Sequence, residues 1–150
     1  MNDWSRDGRS LLYGEIDPKT KFDLWVLAMD GASGPRKPVP LLRTAFDERN
    51  GKFSADGRWV AYESNESGRY EIYVLPFPAS TAGGGKSMVS RAGGTQPHWR
   101  ADGREIYYLA SDGNGDGRPG IRQRRGFPAR RSRDFIQVSS QPGVTRLCAW

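Results

Sequence analysis

The sequence predicts an all-β fold: a partial β-propeller of about two full four-stranded antiparallel blades, part of a third, and an irregular C-terminal tail. Three observations predict it. Asp-Gly-Arg recurs at Asp7, Asp56 and Asp102, spacings of 49 and 46 residues, and a period of 40 to 50 residues with strand-like content marks blades or another repeat array. Each copy is followed by β-branched and aromatic residues. Finally, 19 Gly and 10 Pro in 150 residues favour many turns over long helices.

The elements follow in order. Asp7-Gly8, Asp56-Gly57 and Asp102-Gly103 are read as structural repeat turns. Asp can bond nearby backbone N–H groups, and Gly takes the positive φ that a tight hairpin needs. Ser10 to Tyr13, Trp59 to Tyr62 and Glu105 to Tyr108 then form strands. A second strand comes at Phe22 to Leu27 and again at Tyr70 to Leu75, with an acid, an aliphatic, an aromatic and Val in the same order. Breakers follow each: Asp30-Gly31 with Pro35 and Pro38, then Pro76, Pro78 and Gly83 to Gly85. A shorter fourth strand is expected around Pro40 to Arg43 and around Ser87 to Ser90. Residues 45 to 54 and 95 to 100 lead into the next turn. The expected blades are thus about 1–44, 45–91 and 92–113.

FSADGRWVAYESNESGRYEIYVLPFP, from Phe53 to Pro78, resembles the WD-like repeats of TolB-type β-propellers. Where such repeats usually carry Pro between Ser and Asp, this chain has Arg6, Ala55 and Ala101. The run YVLPFP followed by GGTQPHWRADGREIYYLASDG is most similar to propellers linked to bacterial eukaryotic-type serine/threonine protein kinases. The resemblance spans roughly the first three quarters of the chain and identifies fold better than function. It implies a non-catalytic module for protein or ligand interaction, the sensor or scaffold portion of a larger bacterial protein, placed periplasmically or otherwise outside the cytoplasm. The competing reading is a propeller that gates a prolyl-oligopeptidase-type serine peptidase whose catalytic domain is absent.

Residues 114–150 do not continue the repeat. The net charge of +6 sits entirely beyond Asp112: up to there 15 Lys plus Arg balance 15 Asp plus Glu, and after it come 8 Arg against 2 Asp. The codons compatible with Asn114 onward, read one base later, permit T-V-M-A-V-P-V, the strand expected at that point. Disorder or a shifted reading frame is therefore expected from about Asn114. Beginning near Trp4 without the lead-in strand seen before Phe53, and holding fewer than the roughly four blades a propeller needs, the chain reads as a C-terminal piece of a longer propeller. Its end blades should expose apolar faces.

Other motifs have structural readings. Gly83 to Ser87 ends like a phosphate-binding loop but lacks the earlier Gly, with Ser80 in its place, and reads as an inter-strand loop. Asp112, Asn114 and Asp116 resemble half a calcium loop, a weak alternative because Gln123 stands where the closing Glu belongs. The Arg-rich tail, with Arg118, Arg122, Arg124, Arg125, Arg130, Arg131 and Arg133, lacks interleaved aromatics, so nucleic acid is not expected. His98 has neither nucleophile nor orienting carboxylate fixed by a motif, and no Gly-x-Ser-x-Gly occurs. Ser54 to Trp59 is similar to the structural Asp-box turns of sialidases. Asn65-Glu-Ser67 is a glycosylation sequon without a secretory signal. Recurring aromatics, Trp4, Tyr13, Trp25, Tyr62, Tyr73 and Trp99 among them, are expected to pack blade on blade. One cysteine and one histidine exclude a disulfide and a His- or Cys-rich metal site. No catalytic residue, cofactor or membrane span is expected; the expected partner is a protein or the remaining blades.

Overall fold

In the computed structural model, residues 2–31, 35–78, 85–111 and 119–125 are described. Their regular structure is β throughout. The first sheet holds β1 (Asp3–Trp4), β2 (Ser10–Asp17), β3 (Lys21–Ala28) and β4 (Val39–Leu42) in that spatial order. The second repeats it with β5 (Glu48–Phe53), β6 (Trp59–Ser64), β7 (Glu71–Pro76) and β8 (Ser87–Met88). The third holds β9 (Thr95–Trp99), β10 (Glu105–Ser111) and β11 (Pro119–Arg125). All pairings are antiparallel.

Two strands depart from expectation. A short lead-in strand, β1, does precede the first Asp-Gly turn; Asp3 pairs with Leu12 and Trp4 with Leu11. The stretch 114–150, expected to be an irregular tail, contains β11, which pairs with β10 from Glu105↔Arg125 to Ser111↔Pro119. The physical reason lies in the backbone. β10 carries a free edge of N–H and C=O groups, and such an edge templates pairing whatever the neighbour's side chains are. Residues 126–150 and the calcium-like turn at Asp112, Asn114 and Asp116 lie outside the described residues.

The period-2 alternation of strands decides what each sheet buries. Leu12 and Leu24 point from the first sheet toward the second and meet Phe53, Val60, Tyr62, Tyr73 and Leu75. The opposite face of the second sheet, Ala61, Ile72, Val74 and Val89, packs on Ile106 of the third. Of the recurring aromatics, Tyr62 and Tyr73 stack at 5.7 Å and face the first sheet, and Trp99 packs at the joint of the second and third, whereas Trp4 is 46% exposed and Tyr13 and Trp25 stand outside both core clusters. The first strands β1, β5 and β9 lie against one another in succession, so the three sheets converge there and fan out toward their later strands.

Hydrogen bonds across the joints fix the stacking. Phe53 N–H donates to Asp3 Oδ2 (2.8 Å), Lys52 Nζ to the Asn2 carbonyl (2.6 Å), and Trp99 Nε1 to the Lys52 carbonyl (2.9 Å). Gly51 explains how closely β5 approaches the middle strands β2 and β3 of the first sheet. A Cβ placed there would lie 2.6 Å from Leu12 Cδ2 and 3.2 Å from Leu24 Cδ1.

Candidate functional site

The Asp-Gly positions are the first to place. Gly8, Gly57 and Gly103 have φ of 74°, 68° and 71°, the left-handed region that Gly enters at little cost. Asp7 Oδ1 accepts from Ser5 Oγ (2.6 Å) and Arg9 N–H (3.0 Å). Asp56 Oδ1 accepts from Ser54 Oγ (2.6 Å) and Arg58 N–H (3.1 Å). Asp102 Oδ1 accepts from Arg104 N–H (3.0 Å). The two serines complete the turn by accepting from Ser10 and Trp59 N–H. In the third copy the serine position is Arg100, which pairs instead with Asp102 and Glu105 through its guanidinium. The Ser5 hydroxyl and Arg9 N–H together hold the Asp7 carboxyl below its ordinary range. Each of these carboxylates accepts through Oδ1 within its own turn.

A different set of residues converges on the inner strands. Asn50 in β5 and Gln96 in β9 stand six positions before Asp56 and Asp102, and both take positive φ, 50° and 53°. Each sits where the ladder slips, between Arg49 and Lys52 in one sheet and opposite Tyr107 to Leu109 in the other. Such bulges re-aim side chains. The result is an open hollow of about 230 Å³ lined by Asn50, Lys52, Gln96, Pro97 and His98.

One buried carboxylate ties the two bulges together. Glu63, only 4% exposed, accepts from Asn50 Nδ2 and is also bonded by the Gln96 backbone N–H. Burial raises its pKa; those two hydrogen bonds and the nearby Arg49 charge work against the rise. His98 is pushed below its ordinary value, first by partial burial and then by the Lys52 ammonium, with Asp3 opposing. Its imidazole is therefore neutral at pH 7 and presents one donor and one acceptor. Beside it stand an ammonium and two carboxamide side chains. That set can read a carboxylate, an amide or a backbone segment by hydrogen bonding.

No hydroxyl or thiol nucleophile lines the hollow, and among the described residues no three His, Cys, Asp or Glu are grouped to hold a metal. No helix among them is long and apolar enough to cross a membrane.

The remaining sequence motifs lie elsewhere. Asn65 of the sequon donates its amide to Asp47 and accepts from the Asp47 N–H. Asp47 is also bonded by Phe22 N–H, Tyr70 Oη and Arg49. Arg49 in turn lies 4.6 Å from the Phe22 ring and 5.1 Å from that of Tyr70. This cluster locks the second sheet to the first. Of the phosphate-loop-like run, Lys86 pairs with Glu66 and Ser87 starts β8. Sequence reasoning weighed His98, reading it as a strand residue at a blade edge, and did not consider Asn50 or Gln96. The available signal was an Asn-Gly pair at the same repeat offset as Gln-Pro, since Asn is among the few residues that tolerate positive φ.

The sheets, their order and the converging first strands are similar to those of solved structures. A putative TolB from Agrobacterium tumefaciens superposes with a TM-score of 0.62 over 80% of this chain at 22% identity. TolB from Acinetobacter baumannii gives 0.62 over 79% at 21% identity. The fold is a partial TolB-like β-propeller. The chain spans 42% and 28% of the lengths of those two proteins, and its sheets correspond to about two full four-stranded blades and part of a third. No family model and no curated protein matches the chain.

Proposed function

We propose that the chain is a non-catalytic β-propeller module that binds a protein or peptide ligand, the sensor or scaffold portion of a larger bacterial protein of the kinase-linked or TolB-like kind. The observation that carries this reading is the hollow between the inner strands of the second and third blades. Asn50 and Gln96 are held in positive-φ bulges there, a conformation Asn tolerates and Gln adopts at a cost, and strained backbone of that sort clusters at functional sites. The groups it displays are hydrogen-bonding and cationic rather than nucleophilic. Lys52 and neutral His98 suit a ligand that brings a carboxylate or a backbone carbonyl, and the open mouth suits an extended segment.

The test is an array of extended peptides, acidic and neutral, probed with the labelled full chain, together with hydrolysis assays on peptide and ester substrates. The expected outcome is retention of acidic peptides and no turnover. Lys52→Glu and Asn50→Ala should each weaken retention at least tenfold. Turnover, or retention indifferent to both substitutions, would overturn the reading. The encoding DNA with its flanks tests the setting: a kinase domain and membrane span upstream favour it, a downstream hydrolase favours the peptidase-gating alternative. The same DNA tests the frame proposed beyond Asn114.

A further inference from the structure

The second blade buries a carboxylate where the repeat asks for none. Glu63 stands 49 positions after Gly14 and 46 before Leu109, the spacings that separate the three Asp-Gly turns. It is nevertheless almost wholly buried. Strand alternation puts it on the face of β6 that carries Ala61, toward the third blade. There it accepts from Asn50 Nδ2 of β5 and from the Gln96 N–H of β9, one bond to each positive-φ bulge. Its surroundings are mixed. Arg49 is its ladder partner on β5 and Ile72 its partner on β7. Tyr70, ahead of β7, feels its charge, and Tyr108 of β10 packs on the same face. Lys52 and His98 stand farther along β5 and β9, at the hollow.

We propose that Glu63 is the positioning residue of the hollow and its proton-operated latch: ionised, it holds the Asn50 and Gln96 bulges together across the joint, and on taking a proton it lets one of them go, so that the site releases a peptide in acid. The inference rests on the reading of the hollow as a peptide site. Glu63 does not line the hollow; it acts through Asn50 and Gln96, which do. An ionised carboxylate only accepts, whereas a protonated one donates and keeps less acceptor capacity. Both groups facing Glu63 are donors, and charge-assisted bonds are about twice as strong as neutral ones, so protonation weakens the tie between the bulges. Burial raises the Glu63 pKa above 4.5 against the pull of those two bonds and of Arg49, so the proton arrives before an exposed glutamate would take one. Lys52 and His98 work in the opposite sense. Acid adds charge to His98, which by itself tightens the hold on an acidic ligand.

Nuclear magnetic resonance on the full chain without ligand tests the latch. The Glu63 carboxyl carbon should titrate with a midpoint above 4.5. The Asn50 side-chain amide and the Gln96 backbone amide should follow that midpoint, apart from any component of Gln96 that tracks the His98 ring. A midpoint at or below 4.5, or amides that do not follow it, overturns the proposal, and neither result needs a variant that folds. In Glu63→Gln, with far-ultraviolet circular dichroism unchanged, the shared titration should vanish; its survival overturns the proposal. Fluorescence anisotropy with a dye-labelled hexapeptide of alternating Glu and Gly then reads the site. The parent should bind it about tenfold more weakly once Glu63 is protonated, whereas Glu63→Gln should bind it more tightly in acid. An equal acid response in the two proteins overturns the latch. A parent that binds no such peptide at any pH, with the shared titration intact, upholds the coupling of Glu63 to the bulges and overturns the peptide reading of the hollow instead.

Discussion

Gly94→Ala adds one methyl group at a place where three elements meet. A Cβ there would stand 2.7 Å from Ser90 Oγ, 2.9 Å from Ile72 Cγ1 and 3.0 Å from Tyr108 Cδ2. Heavy atoms in such contacts prefer about 3.5–4.0 Å, so all three are violated by about half an ångström or more. None of the three can step aside cheaply. Ser90 Oγ accepts from Ile72 N–H at 2.8 Å and donates to the Glu71 carboxylate. Ile72 is fully buried, and Tyr108 packs on the same core. Overpacking of this sort costs about 1–3 kcal/mol, and loosening a buried hydrogen bond adds about 1 kcal/mol.

The expected loss is therefore about 3 kcal/mol, measured by urea unfolding with circular dichroism. With a slope of about 1–3 kcal/mol per molar urea, the midpoint should fall by at least about 1 M. Gly85→Ala is the control: nothing lies within 4 Å of its Cβ and its φ is not positive, so stability should stay within about 0.5 kcal/mol. A loss below about 0.5 kcal/mol for Gly94→Ala would refute the packing described for the joint between the second and third blades.

Three further outcomes follow from the same geometry. Leu24→Ala, at a fully buried side chain facing the second blade, should cost about 2–5 kcal/mol in the same assay. Ser54→Ala removes the hydroxyl that donates to Asp56 and accepts from Trp59 N–H, and should cost about 1–2 kcal/mol; the same change at Ser5, which makes the equivalent pair of bonds, should cost a similar amount, and a difference above about 1 kcal/mol would contradict the equivalence of the turns. Glu48→Gln should flatten the dependence of melting temperature on pH. Burial, opposed by the Thr44 hydroxyl and reinforced by the Asp23 charge, raises the Glu48 pKa above its ordinary 4.5. The native state then holds a proton the unfolded chain has released, so this contribution is full below pH 4.5 and is lost as pH rises through the native value. Melts at pH 4.5 and pH 8 should differ less in the glutamine variant than in the parent.

The repeat was legible because its turns are local. Asp-Gly-Arg fixes its own conformation through a side-chain bond two residues on and a positive φ, and no distant residue is needed to recognise it. The strands after each turn were legible from their β-branched and aromatic residues, but not that both faces of β6 and β7 are buried. What was not legible depends on contacts between repeats. Asn50 and Gln96 become visible only when two ladders slip at the same offset and their strands converge. β11 was missed for the complementary reason: the free edge of β10 recruits it, while its own sequence of Gly, Gln and Arg carries no strand pattern.

The joints themselves show how one architecture tolerates divergent repeats. At the second joint Glu71, fully buried, is satisfied by Ser90 Oγ and by the N–H of Gly93, and the next residue, Gly94, yields the space. At the first joint the corresponding acid is the shorter Asp23, and the position of Gly94 is taken by Glu48, whose carboxyl bonds Thr44, the counterpart of Ser90. One joint has a long acid and a glycine, the other a short acid and a second carboxyl. The second solution leaves Asp23 Oδ1 and Glu48 Oε2 buried without a hydrogen-bond partner, which the first does not do to Glu71. Unpaired buried oxygens cost more than paired ones return, so the first joint is the weaker in polar satisfaction and depends more on its larger apolar cluster around Leu12, Leu24 and Phe53. Local unfolding should therefore begin where that cluster is thinned: in Leu24→Ala, amide exchange in β2 and β3 should accelerate before exchange in β6 and β7 does. Uniform acceleration across both blades would mean that the two joints fail together and that the repeats, despite their different solutions, are equally held.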